Sequence, residues 1–427
     1  MTVGALAKAV DDVVSIGAAL FDELAARTRD TIGITRASYG EGEQIAFDLL
    51  SKAGRDLGFE VSRDHAANLM IKRRGTEPDG IGVLSGSHLD SVPSGGNFDG
   101  AAGVVAALLS LAAFDRAGMK TRHDVSAIGF RGEESAWFSI HHIGSRAALG
   151  LLPFEEIETA RRFDSQRTLA EHMADTGCDL DLLQRRHASM PAERVKAYVE
   201  LHIEQGPVLV HREVPVGIVT GIRGNARIRK ARCIGEYAHS GAVPRDMRRD
   251  AVMAMAEFVH AADEEWARLE SQGRDLVLTF GKLHTDTALH GHNKVPGTVD
   301  FVVDARSHEH HTLDAMEAFL KSKAAEIGSR RGVQFEMSPV SRTAPAVMDD
   351  SILALMRQDA DALKLRVMDI ASGGGHDAGD FANAGVPSGM VFVRNPNGSH
   401  NPDEAMTLED FAQALKLLTS TLARLAS

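Results

Sequence analysis

The sequence predicts an α/β protein: a larger domain with a mostly parallel central sheet, interrupted by a small inserted α+β domain. Three observations carry this reading. Apolar runs of strand length alternate with helical patterns through 42–203 and again through 350–426, the order of a layered α/β domain. A β-α-β-β-α-β order fills 224–341, which is the ferredoxin-like split unit. A chain of 427 residues also has room for about two or three domains. The predicted boundaries are 1–220, 221–342 for the insert, and 343–427.

The elements follow in order. The stretch 42–57 has apolar residues at helical spacing. The runs 68–72, 81–87 and 124–130 read as buried strands, and 101–118 between the last two reads as a helix ended by Gly118. A further strand is expected at 195–203. The insert reads as strand 225–234, helix 249–269, strands 275–283 and 298–305, helix 312–328 and strand 333–341. The α/β pattern resumes with helix 350–363, strand 388–393 and helix 408–426. Thr407 and Asp410 resemble a capping box for that last helix.

Composition narrows the function. The chain is 44% hydrophobic and 25% charged, close to an ordinary soluble protein. Asp plus Glu (59) exceeds Lys plus Arg (47), so the net charge of -12 argues against nucleic-acid binding. No apolar run nears the ~20 residues of a membrane span, and Asp11-Asp12 does not suit a signal peptide. Cys178 and Cys233 alone make no disulfide scaffold and predict a reducing cytoplasm. The 19 histidines stand out against 3 tyrosines and 2 tryptophans, because histidine is a common metal ligand and general base.

Four stretches place histidines and carboxylates at strand ends, where open α/β sheets bind ligands. In 86–103, His88 and Asp90 share a strand face, and Asp99 sits at the mouth of a helix. His88 and Asp99 can hold a metal, with Asp90 orienting the His88 ring. The plainer alternative makes Asp99 an N-cap. In 129–137, Glu133 and Glu134 are adjacent, and like charges so close call for a cation or a shared proton. One Glu can ligate while the other activates water; a solvated acidic turn is the alternative. In 200–209, His202 and Glu204 share a face, and Gly206-Pro207 then opens a helix. In 395–406, His400 follows strand 388–393 in a loop that is otherwise a plain connection. Together these ends offer His, Asp, Glu, His and His, too many ligands for one tetrahedral ion. They suit two ions about 3.5 Å apart with a bridging carboxylate.

These motifs resemble the dinuclear-metal amidohydrolase and peptidase superfamily, and more narrowly its hydantoinase/carbamoylase amidase branch. SHLDSVPSGGNFDG, HIEQGPVL, the stretch 239–250, GGGHDA and GSHNPDE fall in that family's order, and the likeness runs from about 40 to 410. The resemblance implies a zinc-peptidase-like catalytic domain with an inserted lid and dimerisation domain. It implies two divalent metal ions per subunit (Zn, Mn, Co or Ni), held by His88, Asp99, Glu134, His202 and His400, with Asp99 bridging. Glu133 becomes the general base, and His239 polarises the scissile carbonyl. Gln205, Asn293 and Arg306 become substrate-binding residues, the last two gripping a carboxylate, and Gly375 and His376 belong to a loop closing over the substrate. Arg306 suits that task because a planar guanidinium meets a carboxylate bidentately; the bland reading is a surface ion pair with Asp304. The implied partners are a small substrate with a free carboxylate and a second copy of the chain, met through the insert.

The expected reaction is hydrolysis of N-carbamoyl-L-amino acids. Allantoate, N-acyl amino acids and dipeptides are the alternatives within the fold, and a non-catalytic metal-binding homologue is the remote one. Two departures bear on substrate choice. Ser135, Ala136, Trp137 and Phe138 follow the Glu pair where the family has Gly and then Ser-Arg-Phe, and Asn97 stands where a basic residue is common. Trp137 is expected to reshape the side-chain pocket.

Overall fold

The computed structural model describes residues 3–77, 80 and 82–427. Ile81, the first residue of the expected strand 81–87, lies outside the described residues. The chain forms two compact units: one made of the segments up to Thr220 and from Val347 onward, the other of Gly221–Ala346. Among the described residues, no helix is long and apolar enough to cross a membrane.

The first unit is built on a mixed sheet. Its strands run in the spatial order Glu60–Arg63, Leu69–Arg73, Asp124–Phe130, Gly82–His88, Val195–Ile203, Ser388–Val393 and Val216–Ile222, with Val367–Ser372 paired beside the last. The four central strands, Asp124–Phe130 through Ser388–Val393, are mutually parallel. The flanking pairs are antiparallel. Parallel strands are buried on both faces, which explains their continuous apolar runs. Their register aligns the carboxyl ends: His88 faces Phe130, and His202 faces Phe392. All four strands therefore end at one edge, and that edge carries the site.

Helix Ala101–Arg116 is buried from Ala101 to Phe114, so it reads as apolar all round rather than as one stripe. It packs with the helices Val3–Thr28 and Leu408–Leu425. The sequence reading assigned no element to Val3–Thr28; its first turn carries no acidic residue to mark a start. Short helices of four to seven residues between Ser135 and Gln184 were also unread. Such lengths show barely one or two turns of period. They enclose a separate apolar cluster around Trp137, Phe138, Ile143 and Leu183. At the last helix, the Thr407 hydroxyl accepts from Asp410 N (3.1 Å). The expected capping box is only half formed, because the Asp410 carboxylate is taken by Arg394 at 2.9 and 3.0 Å.

The second unit has the predicted order, with an antiparallel sheet arranged Gln334–Met337, Gly224–Ile234, Thr298–Ser307, Val277–Thr285. Thr298–Ser307 alternates buried and half-buried positions along its whole length, as a one-sided sheet requires. Its inner face and the helices Ala251–Ser271 and His310–Arg331 share a core containing Phe258, Phe301 and Met316. Asp250 caps the first helix, accepting from Val252 N and Met253 N at 3.0 Å. The single strand expected at 333–341 is two, Gln334–Met337 and Ser341–Thr343. Pro339 falls between them, and proline has no N–H to give a ladder.

Candidate metal centre

The aligned strand ends bring His88, Glu133, Glu134, His202 and His400 around Asp99. His88 Nε2 and His202 Nε2 lie 3.5 and 3.2 Å from Asp99 Oδ1, and 3.5 Å from each other. Their opposite nitrogens are occupied. His88 Nδ1 is 3.1 Å from the Asp90 carbonyl, and His202 Nδ1 is 2.9 Å from the Ile203 carbonyl. Carbonyls only accept, so each Nδ1 carries a hydrogen, and the Nε2 atoms turn inward to one point. Asp99 Oδ1, aimed at the same point, is buried without a hydrogen bond. An inward-facing set of two imidazole nitrogens and an orphaned carboxylate oxygen fits a divalent cation.

The other half of Asp99 serves a second group. His400 Nε2 is 3.3 Å from Asp99 Oδ2 and 3.3 Å from Glu134 Oε1. Both sets, His88-Asp99-His202 and Asp99-Glu134-His400, have ligand atoms close enough for an ion. Asp99 is common to the two. Asp99 does not cap the following helix; Gly100 takes that position at φ 66°. A Cβ on Gly100 would fall 2.5 Å from the His88 ring, so only glycine lets the helix mouth close over the imidazole. A third grouping, Glu200-His202-His376, lies behind His202. Both Glu200 oxygens are already taken, by Ser87 Oγ (2.6 Å) and Ala378 N (2.8 Å), so it belongs to the internal network.

The electrostatics show a site short of positive charge. Burial, with Asp99 and Glu133 nearby, pushes the Glu134 carboxyl up to about 7 although His400 opposes it. The bonds to Asp99 and Glu134 lift the His400 imidazole to about 11. Burial alone would raise Glu133, but the facing His88 and His142 imidazoles bring it down to about 2. Burial and the neighbouring His202 hold His376 well below its ordinary value, hence neutral.

Asp90 does more than orient His88. Its Oδ1 lies 3.3 Å from His88 Nδ1 and accepts from Glu133 N (3.1 Å); its Oδ2 accepts from Glu134 N (3.2 Å) and Ser38 Oγ (2.6 Å). One carboxylate thus fixes both the ligand ring and the Glu pair. Gln205, at φ 62°, donates from Nε2 to Asp99 Oδ2 at 2.9 Å. His376 is buried, with Nε2 2.8 Å from Ser372 Oγ, and Gly375 lies against His142. Glu204 is a cap: its oxygens accept from Val208 N (2.7 Å) and Leu209 N (2.8 Å).

His239, Asn293 and Arg306 belong to the second unit. His239 ends the two-residue strand Ala238–His239, and Ser240 N donates to the Asn293 carbonyl at 3.0 Å, so these two share one ribbon. Arg306 donates to Asp304 Oδ2 at 2.9 and 3.1 Å.

Of the departing residues, Trp137 and Phe138 are buried, Asn97 is half-buried, and Ser135 and Ala136 are exposed. Trp137 is buried, stacked on Phe163 at 5.3 Å, and its Nε1 donates to the Ser91 carbonyl at 2.7 Å. The expectation that it reshapes a substrate pocket is therefore corrected: its indole fills the satellite core. Asn97 Oδ1 accepts from the fully buried Arg36 (3.2 Å), and Asn97 Nδ2 donates to the Phe21 carbonyl (2.9 Å). It clasps the loop before Asp99.

Several residues escaped sequence reasoning. Glu404 accepts from Phe98 N (2.7 Å), Asp99 N (3.2 Å) and Ser399 Oγ (2.6 Å), and so fixes the Asp99 loop. Both Ser399 and Glu404 flank His400, which was the available signal. His142 contacts Glu133. Below the Glu pair, Arg131 is buried against Phe47 (3.9 Å to the ring centre) and donates to Glu43 at 2.5 Å. Glu43 also accepts from Gly132 N at 3.0 Å. Arg131→Ala would leave Glu43 buried and unpaired, and is expected to cost roughly 3–5 kcal/mol. Denaturant unfolding measures this; a loss under about 1 kcal/mol would contradict it.

Carboxylates and imidazoles converging at the carboxyl edge of a parallel sheet, with a further carboxylate beside them, make an arrangement that suits metal-assisted hydrolysis. The comparisons agree. The model of Peptidase family M20/M25/M40 matches residues 84–424. The chain is 37% identical over 395 residues to an N-carbamoyl-L-amino acid amidohydrolase of Geobacillus stearothermophilus, covering 92% of this chain and 94% of that one. It is 31% identical over 396 residues to the allantoate amidohydrolase of Escherichia coli (strain K12), covering 92% and 93%. A hydantoinase/carbamoylase family amidase from Burkholderia ambifaria superimposes with TM-score 0.85 at 29% identity, covering 96% of each chain. The chain belongs to Peptidase family M20/M25/M40 and, with these relatives, is a metal-dependent amidohydrolase.

Proposed function

We propose that this protein hydrolyses the linear ureido C–N bond of N-carbamoyl-L-amino acids, adding one water and releasing the amino acid, carbon dioxide and ammonia. The observation that carries the chemistry is the division of the Asp99 carboxylate between two ligand sets, with Glu133 alongside. The choice of substrate is supported by the likeness to an N-carbamoyl-L-amino acid amidohydrolase over nearly the whole chain.

His88, Asp99, Glu134, His202 and His400 would hold two divalent ions (Zn, Mn, Co or Ni), which suit mixed nitrogen and oxygen ligands. Such ions supply Lewis acidity and make a nearby water far more acidic. Glu133 accepts a proton from the attacking water and returns it to the departing nitrogen. Asp90 keeps the Glu133 and Glu134 amides in place during that exchange. His239 donates to the carbonyl oxygen as negative charge develops there. Arg306 and Asn293 grip the substrate carboxylate, Gln205 adds a contact beside Asp99, and the Gly375-His376 loop closes over the bound molecule. The inserted unit acts as lid and as the contact of a homodimer in the cytoplasm, with His239 serving its own or the neighbouring subunit. Sedimentation tests that assembly; a fully active monomer would remove the cross-subunit role.

A substrate panel tests the activity: N-carbamoyl amino acids, allantoate, ureidopropionate, N-acetyl amino acids and dipeptides on metal-reconstituted protein. Release of amino acid and ammonia from the carbamoyl compounds is expected. Preference for allantoate would move the reading to the second relative, and inactivity on every ureido compound would overturn it.

Metal uptake should depend on pH in a defined direction. With its imidazole lifted to about 11, His400 holds a proton at pH 7 in the ion-free protein. A binding cation must expel that proton, so affinity rises with pH. Calorimetry in buffers of different ionisation enthalpy should report proton release on titration with Zn or Mn. Uptake without buffer dependence at pH 7 would contradict this.

A further inference from the structure

The chain after the Glu pair turns back on it. His142 N donates to the Glu133 carbonyl (2.9 Å), Ile143 N to Gly132 O (2.9 Å) and Gly144 N to Arg131 O (2.8 Å). His142 itself sits at φ 55°, a left-handed conformation that side chains seldom adopt without reason. That turn aims its ring at the reacting side of the molecule. Nε2 lies 3.1 Å from Glu133 Oε1, while Nδ1 lies 2.6 Å from Asp380 Oδ2 on helix Asp377–Asn383. The ring is nearly enclosed. Gly375 closes it from one side, since a Cβ there would stand 3.1 Å from Nε2. The His141 ring meets it edge-on at 4.7 Å between centres. Asp380 is itself within 3.4 Å of Ser145 Oγ.

This leaves the two oxygens of Glu133 in unequal positions. Oε1 is held by His142, whereas Oε2 is 3.8 Å from His88 Nε2, on the side of the ligand sets. A proton-transferring carboxylate must present one oxygen at a fixed angle, and misplacement by about 1 Å can cost ~10²-fold in rate. We propose that His142, anchored by Asp380, is the positioning residue for Glu133: it clamps Oε1 so that Oε2 is always the oxygen offered to the reacting water. It touches neither ligand set, so its work appears in turnover rather than in metal or substrate binding. The inference rests on Glu133 being the base.

Steady-state kinetics, metal content and thermal unfolding of variants test it. His142→Ala should lower kcat by about 10²-fold, with KM changed by less than roughly twofold and metal content unaltered. His142→Gln keeps an N–H donor towards Glu133 and should recover about tenfold of that loss. Asp380→Asn, which weakens the anchor, should cost roughly tenfold in kcat, and the double variant His142→Ala/Asp380→Asn should be no worse than His142→Ala alone. If His142→Ala does not fold, His142→Gln and Asp380→Asn carry the same comparison. The proposal is overturned if His142→Ala and Asp380→Asn keep kcat within about threefold of the parent, or if kcat falls only in step with lost metal or lost stability. Glu133→Gln separates the two readings: turnover surviving there refutes the base assignment itself, whereas an inactive Glu133→Gln beside a fully active His142→Ala refutes only the clamp.

Discussion

Glu133→Gln is expected to bind both metal ions as the parent does and to lose turnover by about 10²–10⁴-fold, the range typical of a missing general base. The amide is isosteric, and the features that hold residue 133 are on its backbone and on Oε1. Glu133 N still reaches Asp90 Oδ1, and His142 Nε2 still has an oxygen to meet. Only the capacity to take a proton disappears. Inductively coupled plasma analysis should find an unchanged metal content, and the rate loss should appear in kcat with KM little moved. If activity survives, another group takes the proton.

Asp99→Asn should be as severe for a different reason. The carboxylate faces His88 and His202 through Oδ1 and His400 through Oδ2, so it serves both ligand sets at once. An amide has one acceptor oxygen and no charge, and its NH2 would point at imidazole nitrogens or at the centre between them. Metal content should fall from two ions towards none, and kcat/KM by roughly 10³-fold or more, since the ions are expected to contribute several kcal/mol to the transition state. Two firmly held ions in this variant would show that Asp99 is not shared. The Gln205 and Ser399 bonds to Oδ2, at 2.9 and 2.5 Å, would be disturbed as well, which widens the effect into the loop carrying His400.

The sequence exposed those features that depend on local order along the chain. His88 and His202 stand at the ends of apolar runs, Asp99 stands just before one and His400 in the loop after one, and the carboxyl ends of parallel strands are bound to meet at one edge. The split unit was legible for the same reason: helix Ala251–Ser271 and the alternating strand Thr298–Ser307 carry clear periods. What stayed hidden depends on contacts across long separations. His142 and Asp380 meet at 2.6 Å from opposite parts of the chain, and nothing beside either residue announces the other. Arg36 and Asn97 likewise look ordinary until they are joined inside the fold. Trp137 misled because it lies next to the Glu pair in sequence, yet the short helix Ser135–Phe138 turns its indole inward towards Phe163. Proximity along the chain pointed to residues that the fold brings together at one edge, and it misjudged the packing of Trp137.

The strand order also constrains how the protein can be made. Ser388–Val393 lies between Val195–Ile203 and Val216–Ile222, although both neighbours leave the ribosome long before it. While the intervening segment is being translated, those two strands have no partner between them, and their facing edges stay open to other chains. The segment Gly221–Ala346 has its own core and can be complete by then. The last insertion fills the middle of the sheet, and His400 arrives only seven residues after that strand ends at Val393. A nascent chain halted before this point therefore presents an unfilled slot, a natural docking place for chaperones and a starting point for aggregation, whereas the finished chain closes its sheet and its ligand set in nearly the same event.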